Sequence, residues 1–206
     1  MYLKNIDQSK LKFKLLKKLV QTQINSGVLL FTDLESTVPN AIEIEGYGYV
    51  KDQFEFDFDI ETVYNKYKTS NPKDTWNSGG LISFGFALDK NNGEIYYPGD
   101  FYPGARVGQV LYLHSRILGM KELCMAQELI TVDDKNYTII FSYIKDGMTK
   151  GIQEIKFDPI NDQKTRVTHV SRFKGVSSFR DKFYPFFHSM IISKFHNNLI
   201  RSLNNR

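Results

Sequence analysis

The sequence predicts an α+β fold: an antiparallel β-meander closed by one long C-terminal helix. Three observations predict it. Five strand-like runs crowd between residues 105 and 173, and their connections are too short for parallel returns, which need crossovers of a dozen residues or more. An earlier run, VKDQFEFDFDI at Val50–Ile60, shows the clean alternation of a half-buried strand. The stretch Phe179–Leu203, FRDKFYPFFHSMIISKFHNNLIRSL, then follows the last strand with apolar residues at helical spacing. A sheet of this kind must bury a face, and this helix is the only late element long enough to cover it.

Composition bounds the answer. A chain of 206 residues, 41% hydrophobic and 24% charged, is ordinary for a soluble protein with room for one domain and an extension. We place the extension at residues 1–45 and the folded domain at 46–206. The single cysteine, Cys124, excludes an intramolecular disulfide and a cysteine-cluster zinc site and suits a reducing compartment. No apolar run approaches the roughly 18 residues of a membrane span, and the lysine-rich start lacks the apolar stretch of a signal peptide. Cytoplasmic location is the expectation. Charge is segregated: residues 1–20 carry +5, residues 21–163 carry −9 and residues 164–206 carry +8. Basic ends packing near the acidic middle would compensate it; an anionic partner would also use it.

In order, residues 8–24 read as a basic helix, with Ser9 as candidate N-cap, leucines four apart, and Lys10, Lys14, Lys17 and Lys18 mostly opposite. This element either packs on the domain or makes weak contact with an anionic membrane surface or RNA. GVLLF at Gly27–Phe31 is a candidate short strand, and residues 32–47 are connection. In VKDQFEFDFDI, Phe54, Phe56, Phe58 and Ile60 share one face and Glu55, Asp57 and Asp59 the other. The carboxylates are about 7 Å apart along a strand, so they read as a solvated face rather than a metal site. A short helix fits Glu61–Lys68, ended by Ser70-Asn71-Pro72. GGLISFGFALD and GEIYY then form a hairpin about Asn92-Gly93, where glycine supplies a positive φ. The loop YPGDFYPG at Tyr97–Gly104 either rims a binding site or is a structural turn.

ARVGQVLYLHSRI, ELCMAQELITVDD, NYTIIFSYIKDG, GIQEIKFDP and RVTHVSRF supply the meander, punctuated by Gly119, Asp133-Asp134, Asp146-Gly147 and Asp158-Pro159. The closing helix is expected from about Tyr184 to Leu203, with Pro185 in its first turn, where no amide partner is lost. Phe183, Phe186, Phe187, Met190, Ile191, Phe195 and Leu199 form its apolar stripe, and Lys194 lies inside it, its stem on apolar surface.

This order resembles the START-like superfamily, the helix-grip fold of polyketide cyclases, plant pathogenesis-related proteins and lipid-transfer domains. ELITVDDKNYTIIFSYIKDGMTKGIQEIKF and THVSRFKGVSSFRDKFYPFFH are similar to an uncharacterised bacterial and plant branch. The shared elements are a Tyr before a glycine-rich turn, Glu154 and Phe157 in an acidic strand, Ser171-Arg172, and Tyr184-Pro185 at the helix entry. The resemblance covers about Tyr49 to Leu203; the lysine helix and an insert near residues 79–104 depart from it. It implies a curved sheet gripping the C-terminal helix and a cavity that takes a small hydrophobic or amphipathic ligand. No catalytic motif and no cofactor carries over.

Strand parity puts Val110, Tyr112, His114 and Arg116 on one face, and Val167, His169, Ser171 and Phe173 on one face of the last strand. On the helix, His188 borders the apolar stripe while His196 falls on the side of Ser189. His114, His169 and His188 could then converge in the cavity with Tyr112, Arg116 and Tyr143, to bind a carboxylate or enolate or to act in a cyclase- or hydrolase-like reaction. The other reading is that they are hydrogen-bonded structural residues, because a one-residue register slip inverts every assignment. HExxH, GxSxG, phosphate-loop and metal-ligand patterns are absent from the sequence. Arg166, Arg172, Lys174, Arg180 and Lys182 beside Phe173, Phe179 and Phe183 offer a third reading, nucleic-acid binding.

Overall fold

The computed structural model describes residues 1–39, 44–77, 81–116, 122–145 and 147–205, and in the last helix the side chains of all but residues 179 and 180. The glycine start of the hairpin at Gly79, the turn at Gly119, Asp146 of the Asp146-Gly147 turn, and the side chains of Phe179 and Arg180 therefore lie outside the described residues. The elements are α1 (Lys14–Asn25), β1 (Gly48–Phe56), α2 (Ile60–Thr69), α3 (Pro72–Thr75), β2 (Ile82–Asp89), β3 (Ile95–Tyr96), β4 (Gln109–Arg116), β5 (Glu122–Asp133), β6 (Thr138–Tyr143), β7 (Thr149–Asn161), β8 (Lys164–Gly175) and α4 (Ser178–Asn204).

Among the described residues, eight strands form one curved antiparallel sheet in the order β1-β8-β7-β6-β5-β4-β2-β3. The meander from β4 to β8 is the predicted one. β1 closes the far edge by pairing with β8, Phe56 opposite Thr165 and Gly48 opposite Phe173. This pairing sets the acidic face of β1 beside the basic face of β8: Lys164 Nζ lies 2.7 Å from Glu55, and Arg166 lies 3.6 Å from the same carboxylate. Asp59, the last carboxylate of the alternating run, caps α2 by accepting the Thr62 amide at 2.8 Å. The hairpin turns as expected, with Gly93 at φ 78°.

Two bulges decide which side chains face which way. Gly85 is the extra residue between the Phe84–Leu113 and Phe86–Tyr112 pairs, so Ile82 and Phe84 face the α4 side whereas Phe86 and Leu88 face the other. Ile130 plays the same part in β5. The inner face of the sheet packs on α2, α3 and α4 through Phe56, Tyr67, Trp76, Leu113, Phe157 and Phe195.

The outer face is also covered over β2, β4 and β5, by residues 1–34. Leu3, Leu11, Leu16, Val20, Phe31 and Leu34 form a second core with Phe86, Leu88, Val110 and Tyr112. Leu16 settles over Gly85, where an added Cβ would stand 2.1 Å from Leu16 Cδ1 and 2.9 Å from the Tyr112 carbonyl. The basic segment is thus a packing element, with Lys10, Lys14 and Lys18 exposed.

Several boundaries differ from expectation. α1 starts at Lys14, because Ser9 spends its amide and hydroxyl on Asp7 Oδ1 (2.9 and 2.6 Å) instead of capping a helix. Gly27–Phe31 is no strand: one bridge joins Tyr2 to Leu30, and the Leu3 amide donates to the Leu29 carbonyl at 2.8 Å. β7 runs through Asp158-Pro159 to Asn161, since Pro159 sits at a register shift where the ladder is already broken. α4 begins at Ser178, before the expected start, so Pro185 is interior. Asp181 Oδ1 anchors that first turn by accepting the Gly175 amide at 2.6 Å.

Candidate functional site

The face of α4 that meets the sheet is His188, Ile191, Ile192, Phe195, His196, Leu199 and Leu203, spaced by threes and fours. Phe183 and Phe186, predicted in the stripe, are 41% and 67% exposed, and Lys194 is exposed rather than laid on apolar surface. The stripe is therefore rotated toward the histidines, and His196, expected on the polar side, is fully buried.

What draws His196 inward is a hydrogen-bonded chain through the grip. The Tyr67 hydroxyl bonds His196 Nδ1. His196 Nε2 lies 2.9 Å from His169 Nδ1, and His169 Nε2 lies 2.9 Å from Gln153 Oε1. Gln153 Nε2 donates to the Tyr143 hydroxyl at 2.8 Å, which meets the Tyr184 hydroxyl at 2.8 Å, which in turn meets Ser171 Oγ at 2.9 Å. With Gln153 Oε1 toward His169, the protons follow: His169 carries Nε2–H, His196 carries Nε2–H, and Tyr67 donates. Both imidazoles are then neutral and satisfied. Burial first, and nearby imidazoles second, hold the pKa of His169 and His196 well below the usual 6.5. Burial raises Tyr143, and raises Tyr67 and Tyr184 well above 10.

Beside this chain lies a cavity of about 150 Å³ between the sheet and α4. Trp76, Ile82, Met125, Phe187, Ile191 and Ile192 give it apolar walls. Tyr143, Gln153, Tyr184 and His188 are polar groups on its boundary. His188 is 6% exposed, and neither ring nitrogen has a hydrogen-bond partner among the described residues. Its ring stacks on Tyr184 at 5.2 Å, and its Nδ1 is 3.9 Å from Asp52 Oδ2. Burial lowers its pKa to about 3. Cys124 also borders the cavity, but burial pushes its thiol up to about 12, away from nucleophilic use.

The structure brings together three of the six residues read from sequence. Tyr143 and His188 line the cavity, and His169 stands one hydrogen bond behind it. Tyr112 and His114 do not join them. They point to the outer face, Tyr112 donating to Gln23 Oε1 at 3.0 Å and His114 stacking on Phe13 at 4.0 Å. The inward residues of β4 are Leu111 and Leu113; the sequence reading took the wrong parity because every residue from Gln109 to Ser115 is buried and alternation is erased. Arg116, at the exposed end of β4, is likewise absent from the lining. Tyr67, Gln153, Tyr184 and His196 were missed. The i, i+4 and i+8 spacing of Tyr184, His188 and Ile192 was the available signal. The Tyr97–Gly104 loop does not line the cavity; it is a structural turn whose Tyr97 hydroxyl accepts the Asp7 amide at 2.7 Å. Among the described residues no group of three or more His, Cys, Asp or Glu is placed to hold a metal, and no helix is long and apolar enough to cross a membrane.

No family model matches the sequence, and no curated protein matches it. Solved structures do match. Norcoclaurine synthase from Thalictrum flavum, solved with dopamine and hydroxybenzaldehyde, has a TM-score of 0.58 at 10% identity, over 77% of this chain and 87% of that one. Ginseng major latex-like protein 151 from Panax ginseng has a TM-score of 0.56 at 11% identity, over 76% and 98%. A protein from Mycobacterium smegmatis has a TM-score of 0.52 at 13% identity, over 76% and 91%. Identities this low carry architecture and no chemistry. A curved antiparallel sheet closed around a long C-terminal helix, together with these superpositions, gives this chain the helix-grip fold.

Proposed function

We propose that the protein binds a small hydrophobic or amphipathic ligand in the cavity between the sheet and α4. One observation carries the reading: an apolar-walled space with a few polar groups converging on it, at the place where the sheet and its helix part. That norcoclaurine synthase is solved with two small aromatic molecules supports it by analogy of fold. The test is mass spectrometry of small molecules released from the purified chain, compared with the Ile191→Trp variant, whose larger side chain would fill the space. Loss of the released molecule in a folded variant is expected. A variant that carries the same molecule at the same occupancy would refute the assignment.

A second reading, acid-base chemistry at the same cavity, rests on His188, whose ring nitrogens have no hydrogen-bond partner among the described residues. His169, by contrast, has both nitrogens occupied by Gln153 and His196. His188→Gln would abolish turnover under this reading and only alter affinity under the first.

A further inference from the structure

We infer that the cavity selects an uncharged ring compound bearing a hydroxyl group, whose O–H donates to His188 Nε2; this rests on the ligand-binding reading above. Size is the first argument. A space of about 150 Å³ is that of an engineered apolar cavity that admits benzene, so its volume matches one ring. Charge is the second. Among the described lining residues the one charged side chain is Asp181, already accepting the Gly175 amide at 2.6 Å. No lysine or arginine is among them, so a bound carboxylate or enolate would be buried without a counter-charge. Of the set read from sequence as able to bind a carboxylate or enolate, Arg116, its arginine, does not line the cavity.

Hydrogen bonding is the third argument. Tyr143, Tyr184 and Gln153 are committed to one another, to Ser171 and to His169. Among the described residues, His188 alone of these boundary groups is buried with no hydrogen-bond partner on either nitrogen, and such a group is costly unless something completes it. The Asp52 carboxylate, 3.9 Å from Nδ1, favours the tautomer with its proton on that nitrogen. The lone pair is then on Nε2, and the matching ligand atom is a donor. An alcohol or phenol supplies one, an ether or hydrocarbon does not, and a carboxylate supplies only acceptors.

The test is titration calorimetry of the full chain at pH 7.5 with three matched probes: 4-methylphenol, toluene and 4-methylbenzoate. Expected are about tenfold tighter binding of 4-methylphenol than of toluene, the yield of one well-formed hydrogen bond, and no detectable binding of 4-methylbenzoate. In His188→Leu the preference for 4-methylphenol should disappear while toluene binds as before. Should that variant fail to fold, the imidazole ¹⁵N signals of the unaltered protein decide: His188 Nε2 should shift with 4-methylphenol and not with toluene. Equal affinity for 4-methylphenol and toluene would overturn the hydroxyl selection and leave the cavity reading standing. Tight binding of 4-methylbenzoate would overturn the charge argument, and silence from all three probes would sink both readings.

Discussion

Acidification from pH 7.5 to 5.5 should destabilise this fold through three buried histidines. His169, His188 and His196 have pKa values lowered by burial, His188 to about 3 and the other two well below 6.5. In the unfolded chain each returns to about 6.5. As pH falls through 6.5 the unfolded state takes up protons that the folded state refuses, so stability is full above that value and is lost progressively below it. Over this interval the loss is set by the unfolded value alone, about 1.4 kcal/mol per histidine and about 4 kcal/mol for three. That is a large part of the 5–15 kcal/mol typical of a domain. Exposed carboxylates do not mimic the effect. Glu35 and Glu55 are lowered by hydrogen bonds to Lys145 and Lys164, and Asp59 by the Thr62 amide; their contribution is present above their unfolded values near 4 and fades only below this window. Urea unfolding followed by Trp76 fluorescence at pH 7.5, 6.5 and 5.5 is the assay. At a slope of about 2 kcal/mol per molar the midpoint should fall by about 2 M. A midpoint unchanged across the series would mean that these imidazoles are already charged or hydrated in the fold, and the neutral hydrogen-bonded chain would be wrong.

Removing residues 1–24 should abolish cooperative unfolding, because it uncovers Phe86, Val110 and Tyr112; Leu16→Ala alone should cost about 2–5 kcal/mol in a urea titration. Gly151→Ala should lower the melting temperature sharply, since Gly151 holds φ 126° and an added Cβ would sit 1.9 Å from the Arg172 carbonyl. Changing Lys10, Lys14, Lys17 and Lys18 together to Glu should leave the melting temperature nearly unchanged, and vesicle sedimentation at low salt would show whether they contact anionic lipid, with loss of binding expected if they do.

Legibility in the sequence followed how one-sided each element is. β1 and β8 bury one face and face water with the other, so Phe54, Phe56, Val167 and His169 could be assigned correctly from alternation alone. β4 is buried throughout, and its parity is fixed by the Gly85 bulge and by the second core, neither of which has a periodic signature. The same limit hid His196. Helical spacing finds a stripe, but its rotation is set by what the opposing strands offer, here a hydroxyl on Tyr67 and an imidazole on His169. A hydrogen-bond chain spanning five separate elements leaves no local trace in any one of them.

The sheet is covered on both faces over β2, β4 and β5, carries a smaller outer cluster of Val38, Ile140 and Ile152 over β6 and β7, and is covered on one face at β1 and β8, which implies a gradient of stiffness along the strand order. In β4 the amides of Val110–Leu113 lie between two cores, so water reaches them only when the whole domain opens, and their hydrogen exchange should report the global stability. β1 and β8 have solvent on their outer side, and β1 touches α4 through groups such as Asp52, which accepts from Ser189 at 2.9 Å. Amides there should exchange by smaller, local openings. Under the proposed ligand-binding function, a molecule larger than a single ring would enter the space beside His188 by displacing its α4 wall, which packs on β1 and β8, while the β5 wall in the twice-covered half stays still.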